Sequence, residues 1–402
     1  MKSKSNATNG YFKHSHRLLW ALFSAFSFIF SRVFLGFRCK DRYRIKKGES
    51  VIVLSNHQTD YDAMCIYPCF SRQLCAVATD SVFYGLFGKV LRKLGVIPKK
   101  KGAVDTACAI RMLRTLRSGG SLLLFPEGNR YYAEFQYYIS PSLPAFIRSS
   151  GATLVIFNMT GGSGVSPRFG ATFRRGRFRG AVKRILTYEE YSKLGDGELL
   201  RIIKDGIRVY DSDSGETYKS RRRAEYLERM LFVCPKCGAL STLVSEKQYI
   251  RCEKCGLKVE YGEDLRLHGD VGFSRLVDWW ELQKRTVRGL AIVPGKTIFA
   301  DDGVRLTLSV PGKKRKLLAK GRMTVDDGKI TVGDHSVGTD GIDTATVVSG
   351  RKLIFSVNGE NYTAVGGKRF NPLKYVFLFN RLDTVMSRKS SDRYFSLEDI
   401  ND

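Results

Sequence analysis

Between Asp41 and Tyr210, segments with the hydrophobic pattern of buried strands alternate with segments that have the pattern of helices. Short apolar runs such as Val51–Leu54 and Leu122–Leu124 alternate with segments in which apolar residues recur every three or four positions. This pattern predicts a mixed, largely parallel sheet flanked by helices. The predicted strands are Arg42–Lys46, Val51–Ser55, Leu74–Thr79, Val96–Lys99, Ser121–Phe125 and Thr153–Met159, and the predicted helices are Asp62–Phe70, Ser81–Leu94, Val104–Arg117 and Ser142–Ser149.

Residues 1–40 consist of a basic arm followed by the apolar stretch Leu18–Phe37. A helix of this length is about 30 Å long, enough to cross a bilayer core. Ser24, Ser27 and Ser31 recur at helical spacing, which suits packing against a second helix or a helix lying in the membrane interface. A membrane anchor is favoured over a buried core helix, and whether it spans the bilayer stays open.

The rest of the chain divides into smaller segments. Residues 41–222 form the α/β domain, which ends in an arginine-rich stretch and a polar linker at Asp211–Ser220. Residues 223–263 begin with a predicted helix, Arg223–Met230, and contain two CxxC pairs. Residues 264–288 predict an amphipathic helix with Trp280 on its apolar face and Trp279 off it.

The sequence pattern of residues 289–386 is that of short strands separated by turns. Asp327-Gly328 and Asn358-Gly359 are hairpin signals, and Asn371-Pro372 caps an apolar helix at Leu373–Leu382. We expect a small antiparallel β domain with a C-terminal helix, similar to pleckstrin-homology-like modules, followed by a disordered tail at 387–402.

The 402 residues carry a net charge of +28, which implies an anionic partner. The excess starts early, because residues 1–50 contain 11 Lys/Arg and 2 Asp/Glu. It is also dense between Arg168 and Arg184, where a solvated basic face and contact with anionic lipid are both open interpretations. Cysteines outside the CxxC pairs lack any disulfide-like spacing, which indicates a reducing compartment.

His57 directly follows the predicted strand Val51–Ser55, and Asp62 lies five residues further on. A neutral histidine can accept a proton from a hydroxyl, and an aspartate can fix its tautomer. The alternative for Asp62 is a capping box with Thr59, and Asp60 is the expected helix-capping acid. No GxSxG motif is present, so the hydroxyl to be activated belongs to the substrate.

A second polar cluster follows the strand Ser121–Phe125. Arg130 offers a planar fork suited to phosphate, Glu127 can orient it or accept from a substrate hydroxyl, and Gly128 permits close backbone approach. A structural Glu127–Arg130 ion pair is the alternative. Lys99, Lys100 and Lys101 end another strand at the same predicted edge, where a solvated lysine run is the alternative.

These two motifs together, His57-x4-Asp62 and Phe125-Pro126-Glu127-Gly128-Asn129-Arg130, resemble the glycerolipid acyltransferase family, specifically the 1-acylglycerol-3-phosphate acyltransferases. The resemblance implies that His57 is the general base and Asp62 its partner. It also implies binding of the acceptor phosphate and glycerol by Glu127, Gly128, Arg130 and Lys100 or Lys101.

The implied reaction transfers an acyl group from acyl-CoA or acyl carrier protein to the sn-2 hydroxyl of lysophosphatidate, giving phosphatidate in phospholipid biosynthesis. Another lysophospholipid or glycerol 3-phosphate is an alternative acceptor. We expect the enzyme at the cytoplasmic face of the cell membrane, on an anionic surface. A covalent route through Cys65 or Cys69 is disfavoured, because an apolar helix raises the pKa of a thiol.

The CxxC pairs are Cys234/Cys237 and Cys252/Cys255, with fourteen residues between the pairs. Four thiolates predict a structural, tetrahedral Zn²⁺ in a zinc ribbon, with Gly238 and Gly256 in the tight turns. The zinc ribbon and the positive net charge also suit a different functional class, a nucleic-acid-binding protein. That class is disfavoured because Glu residues partly offset the basic residues within the ribbon, and a catalytically dead scaffold is disfavoured because both motifs are intact.

Overall fold

The structure is a computed structural model that describes residues 17–79, 82–83, 85–99, 105–134, 138–309, 315–348, 350–385 and 394–395. These residues fall into two compact units. The first takes its residues from Met1–Tyr131, Phe135–Pro167 and Phe173–Glu216, and the second takes them from Tyr132–Glu134, Arg168–Thr172 and Thr217–Asp402.

The first unit is built on a seven-stranded sheet with the order β1-β7-β6-β2-β5-β3-β4. All neighbouring strands are parallel except β6 and β7, so the predicted mixed, largely parallel sheet is confirmed. The strands are β1 (Phe37–Cys39), β2 (Val51–Ser55), β3 (Leu74–Thr79), β4 (Ile97–Lys99), β5 (Ser121–Leu124), β6 (Thr153–Thr160) and β7 (Phe178–Leu186). The helices are α1 (Arg17–Phe34), α2 (Asp62–Ile66), α3 (Gly85–Lys93), α4 (Thr106–Arg117), α5 (Leu143–Ser150), α6 (Gly162–Val165), α7 (Tyr188–Tyr191) and α8 (Asp196–Ile207).

The central strands are apolar on both faces because helices cover the sheet on both sides. Ile52 and Leu54 of β2 pack into a core that includes Ile147 of α5 and Ile203 of α8. Leu54 pairs with Leu124 of β5 and with Ile156 of β6. Strands β2 and β5 therefore end side by side at one edge, which brings the two polar motifs together.

The first unit differs from the predicted elements at three places. Arg42–Lys46 is not a strand, because only Tyr43 forms a bridge, to Phe70. Strand β7 was not predicted, since exposed basic residues interrupt its apolar alternation. The linker predicted at Asp211–Ser220 begins with a single 3-10 turn, Asp211–Asp213, whose first residue is buried.

Helix α1 packs on the 3-10 turn Tyr67–Cys69 and on α2. Ser24, Ser27 and Ser31 lie on its buried side, as their spacing predicts, and the ring of Phe23 contacts that of Tyr67 with centroids 5.9 Å apart. No helix within the described residues combines the length and the apolar character needed to span a bilayer.

The second unit contains a four-stranded antiparallel sheet and a larger, mostly antiparallel sheet. The small sheet consists of β8 (Leu243–Glu246), β9 (Tyr249–Cys252), β10 (Lys258–Tyr261) and β11 (Leu267–His268), and helix α9 (Leu276–Arg288) follows it. The larger sheet has the order β15-β14-β13-β12-β18-β17-β16-β19, so β12 pairs with both β13 and β18. Its elements are β12 (Phe299–Ser309), β13 (Lys316–Val325), β14 (Lys329–Val332), β15 (His335–Gly338), β16 (Ile342–Val348), β17 (Lys352–Val357), β18 (Glu360–Val365), the helix α10 (Leu373–Val385) and β19 (Tyr394–Phe395).

The small antiparallel β domain with a final helix is confirmed. Asp327-Gly328 and Asn358-Gly359 form hairpin turns, as predicted, and the Asn371 side chain accepts hydrogen bonds from the N–H groups of Leu373 and Lys374 at 2.9 and 3.2 Å. The resemblance to pleckstrin-homology-like modules stays a prediction.

Three other expectations for this unit are wrong. Arg223–Met230 is not helical beyond one 3-10 turn, and Tyr226 adopts a left-handed conformation with φ of 68°. The helix expected over 264–288 begins only at Leu276, because Leu267 and His268 join the small sheet. Trp279, expected off the apolar face, is fully buried and donates its indole N–H to the Val233 carbonyl at 2.8 Å.

The tail was expected to be disordered. Its two described residues, Tyr394 and Phe395, pair with β16 in parallel, and the remaining residues of 387–402 lie outside the described part of the chain.

Candidate active site

His57 lies in the loop between β2 and α2, with its ring held by a buried carboxylate. Its Nδ1 is 2.7 Å from Oδ2 of Asp62. The same carboxylate accepts the N–H of Gln58 at 2.6 Å, and the N–H and hydroxyl of Thr59 at 3.0 and 2.5 Å. A carboxylate only accepts, so Nδ1 carries the proton and Nε2 of the neutral ring is the proton acceptor.

The capping box offered as the alternative role of Asp62 does not form. Thr59 is not the N-cap of α2, and its hydroxyl donates to the Asp62 carboxylate, which also orients the His57 ring. Asp60 is not the capping acid, because Tyr61 occupies the N-cap position of α2 without a capping side chain and Asp62 takes the loop's backbone donors.

The second motif is connected to the first through His57. The imidazole stacks on the Phe125 ring with centroids 4.2 Å apart, and the His57 carbonyl accepts the N–H of Tyr131 at 3.0 Å. Arg130 reaches the same loop, where its Nη1 is 2.9 Å from Oδ2 of Asp60. The base candidate and the guanidinium thus lie on two loops that contact each other at one edge of the sheet.

Glu127 and Gly128 form the turn before Arg130. Glu127 is buried and hydrogen-bonds with the Tyr131 hydroxyl. The pKa of Tyr131 is raised well above its usual range, chiefly because the hydroxyl is buried and secondly because the Glu127 carboxylate is close to it. Gly128 has φ of +66°, where a side chain would be strained, and its N–H donates to the Phe125 carbonyl at 3.0 Å. The predicted contacts of these residues with substrate stay predictions.

A family model described as Acyltransferase matches residues 36–182. Residues 36–182 belong to the acyltransferase family. All of His57, Asp62, Glu127 and Arg130 lie within this acyltransferase domain. No curated protein matches the chain. The chain is similar in structure to "1-acyl-sn-glycerophosphate (LPA) acyltransferase, PlsC, from Thermotoga maritima", with 15% sequence identity, a TM-score of 0.43 and coverage of 48% of this chain and 78% of that chain.

The basic residues expected beside the acyltransferase site are only partly described. Lys99 is the exposed last residue of β4, which lies two strands from β5 at the same edge. Lys100 and Lys101 lie outside the described residues, so their role in binding phosphate stays a prediction.

Three further residues, which no local sequence pattern marks, support the His57 loop of the acyltransferase domain. Asn56 is buried and bridges to β6, since its side chain donates to the Met159 carbonyl and accepts the Met159 N–H, both at 2.8 Å. Gln58 accepts the N–H of Gly162 at 2.9 Å and donates to Asp211 at 3.0 Å. The adjacency of Asn56 to His57 was the only sequence signal for this support.

Asp211 connects Gln58 to the end of β6. Its carboxylate also accepts the N–H of Gly161 at 2.7 Å and the hydroxyl of Ser163. Burial raises the pKa of this carboxyl, although each of these hydrogen bonds opposes the rise. The residue lies far along the chain in a polar stretch, so nothing in the local pattern marked it.

Cys65 and Cys69, the nucleophiles of the disfavoured covalent route, are both buried, in α2 and in the 3-10 turn that follows it. Burial raises the pKa of each thiol well above its usual value. Both therefore stay protonated near neutral pH, which makes them poor nucleophiles.

The four cysteines of the CxxC pairs lie outside the acyltransferase domain and form one cluster. Their sulfur atoms all lie within 4.8 Å of one another, with Cys234–Cys255 at 3.6 Å and Cys237–Cys252 at 3.9 Å. Four thiolates about 2.3 Å from one tetrahedral zinc are about 3.8 Å apart, so this arrangement fits the metal. The cluster can hold a metal ion.

The turns around the cluster also suit a metal. Gly238 and Gly256 have φ of 67° and 74°, and each N–H donates at 3.0 Å to the carbonyl of the first cysteine of its pair. The Thr242 hydroxyl is 3.2 Å from the sulfur of Cys252 and can support a thiolate there. With four protein sulfurs, a tetrahedral ion has no open position for catalysis.

Proposed function

We propose that this chain is a 1-acylglycerol-3-phosphate O-acyltransferase, which transfers an acyl group from acyl-CoA or acyl carrier protein to the sn-2 hydroxyl of lysophosphatidate. The observation that carries the proposal is the His57 ring, which the buried carboxylate of Asp62 orients. The ring adjoins the Arg130 loop within an acyltransferase domain. Phosphatidate and the free thiol are the products.

In the proposed reaction, Nε2 of His57 removes the proton from the sn-2 hydroxyl. The alkoxide oxygen attacks the thioester carbonyl, and the tetrahedral intermediate then collapses with cleavage of the carbon–sulfur bond. The departing thiolate takes its proton from the imidazolium. Asp62 stabilises that imidazolium through Nδ1 and prevents the ring from adopting the other tautomer.

Arg130 is the proposed ligand of the acceptor phosphate. A guanidinium that is largely shielded from water keeps its fork geometry and binds phosphate through two parallel hydrogen bonds. Lys100 or Lys101 would add positive charge, and Glu127 with Gly128 would shape the glycerol side of the site. The family supports these roles, and variants of each residue test them.

We propose a zinc ion held by Cys234, Cys237, Cys252 and Cys255. When bound, the ion would crosslink the two CxxC pairs as a structural centre. The observation that supports it is a compact group of four sulfurs at spacings that suit tetrahedral coordination.

We also propose that α1 lies in the interface of an anionic membrane at the cytoplasmic face. Its serine side is buried, while large apolar side chains cover the exposed side of the helix: Leu18, Leu22, Phe26, Ile29 and Val33. The helix also contacts the catalytic loop, since the rings of Phe30 and Tyr61 lie 5.2 Å apart. An interfacial helix beside that loop would present the site to lipid acceptors.

The function is tested by incubating the purified protein with lysophosphatidate and a panel of acyl-CoA and acyl carrier protein thioesters, with the products identified by mass. Phosphatidate formation is the expected result. Parallel reactions with glycerol 3-phosphate and with lysophosphatidylcholine identify an alternative acceptor. Formation of no acylated lipid with any pair of substrates would overturn the proposal.

A further inference from the structure

Arg130 is paired with an acidic side chain from the catalytic loop. Nη1 of Arg130 is 2.9 Å from Oδ2 of Asp60, and the side chains are 13% and 65% exposed, respectively. The guanidinium is thus shielded while the carboxylate is in water. An ion pair with one exposed partner contributes little to stability and can be exchanged for another anion at small cost.

Among the described residues, the hydrogen bonds that shape the catalytic loop come from Asp62 and Thr59. Asp62 takes the N–H groups of Gln58 and Thr59, and the Thr59 hydroxyl accepts the N–H of Tyr61 at 3.1 Å. The loop is therefore fixed by its neighbours, and it holds the Asp60 carboxylate at one place, against the guanidinium.

We propose that the Asp60 carboxylate is the exchange partner of Arg130: it occupies the anion position of the guanidinium in the free enzyme, and the acceptor phosphate displaces it. This inference rests on the proposed function of Arg130. When the product leaves, Asp60 pairs with Arg130 again, which weakens the hold on the phosphate of phosphatidate.

Two physical consequences follow from this exchange. The acceptor's binding free energy is reduced by the cost of breaking the pair, and the displaced carboxylate still repels the nearby phosphate. Both effects weaken the binding of phosphate-bearing ligands, and neither acts on a neutral acceptor. Asp60 would therefore raise both the Michaelis constant for lysophosphatidate and the inhibition constant for phosphatidate.

The test compares wild type with Asp60→Asn and Asp60→Glu, with Asp196→Asn as the matched control. Asp196 also pairs with an arginine, Arg148, and is also mostly exposed, but it lies at the start of α8. We expect Asp60→Asn to lower KM for lysophosphatidate by about threefold to fivefold, from an exposed-pair energy near the upper end of its range. The inhibition constants for phosphatidate and inorganic phosphate should fall by the same factor.

Asp60→Glu keeps the charge and should restore constants close to wild type, and Asp196→Asn should leave them unchanged. With monoacylglycerol, which has no phosphate, Asp60→Asn should give no gain. An unchanged or higher KM for lysophosphatidate in Asp60→Asn would overturn the inference while the acyltransferase function stands, and a higher KM would mean that Asp60 orients Arg130 in the complex. If wild type forms no phosphatidate, the proposed function fails, and this inference fails with it.

Discussion

Replacing Asp62 by asparagine tests the assigned orientation of the base while keeping the side chain's shape. The carboxylate accepts hydrogen bonds from four donors. His57 and Gln58 donate to Oδ2, the Thr59 hydroxyl donates to Oδ1, and the Thr59 N–H lies 3.0 Å from both oxygens. An amide has one accepting oxygen and one donating NH2 group. Either orientation of the introduced amide therefore turns donors toward donors.

The cost can be estimated from these contacts. If the amide oxygen replaces Oδ1, the NH2 group faces the N–H of Gln58, and His57 must present an unprotonated Nδ1 to it. The proton then lies on Nε2, the atom that has to accept the substrate proton. A base in the wrong tautomer should lower kcat by about 10³-fold, or about 4 kcal/mol of transition-state stabilisation. One unmatched buried N–H should lower the free energy of unfolding by about 1–3 kcal/mol.

The assay follows thiol release from acyl-CoA with lysophosphatidate as acceptor, together with thermal melting of both proteins. We expect kcat to fall while KM for lysophosphatidate changes little, because Asp62 does not contact the acceptor phosphate in the proposed complex. A folded Asp62→Asn protein with kcat within tenfold of wild type would refute the assigned role of the carboxylate.

Three further predictions concern the cysteines and the support of the loop. Cys65→Ser and Cys69→Ser should each retain kcat within about threefold where the protein folds, because a direct transfer uses no thiol nucleophile; loss of activity with a wild-type melting curve would favour a covalent route. Asp211→Ala removes the acceptor of four donors, the Gln58 amide, the Gly161 N–H, and the N–H and hydroxyl of Ser163. It should therefore lower the unfolding free energy by about 2–4 kcal/mol and reduce kcat, as measured by denaturant titration and initial rates; an unchanged midpoint would contradict this reasoning. Metal analysis should find one zinc per chain. Chelation should change the fluorescence of Trp279, because its indole N–H donates to the carbonyl of Val233, the residue before Cys234. A Cys234→Ser protein that keeps stoichiometric zinc would contradict the four-cysteine site.

Local patterns in the sequence were sufficient to locate strands β2 to β6 and both motifs, but not β1 or β7. Strand β3 has the predicted bounds, because a continuous apolar run flanked by polar residues is the signature of a strand covered on both faces. The edge that holds His57 and Arg130 was also predictable, since parallel strands place their carboxyl ends together. Gly238 and Gly256 have positive φ in the turns for which they were proposed, and Gly128, proposed to permit close backbone approach, also has positive φ.

The remaining features depend on contacts between distant parts of the chain. Asp211 was read as part of a polar linker, yet it is buried because Gln58 and Gly161 supply its hydrogen bonds. Trp279 was placed off the apolar face of its helix, where it could contact a neighbouring domain or the membrane, yet it is buried and bonded to Val233, which helical periodicity alone does not reveal. The pairing of Asp60 with Arg130 joins two loops that are far apart in the sequence, so no local spacing indicates it.

The most direct test of the central claim is the rate of phosphatidate formation by His57→Ala beside wild type, with product mass as the readout and melting curves as the folding control. Loss of the base should reduce kcat by about 10²–10⁴-fold, while the protein stays folded. Phosphatidate formation by folded His57→Ala within tenfold of the wild-type rate would contradict the account.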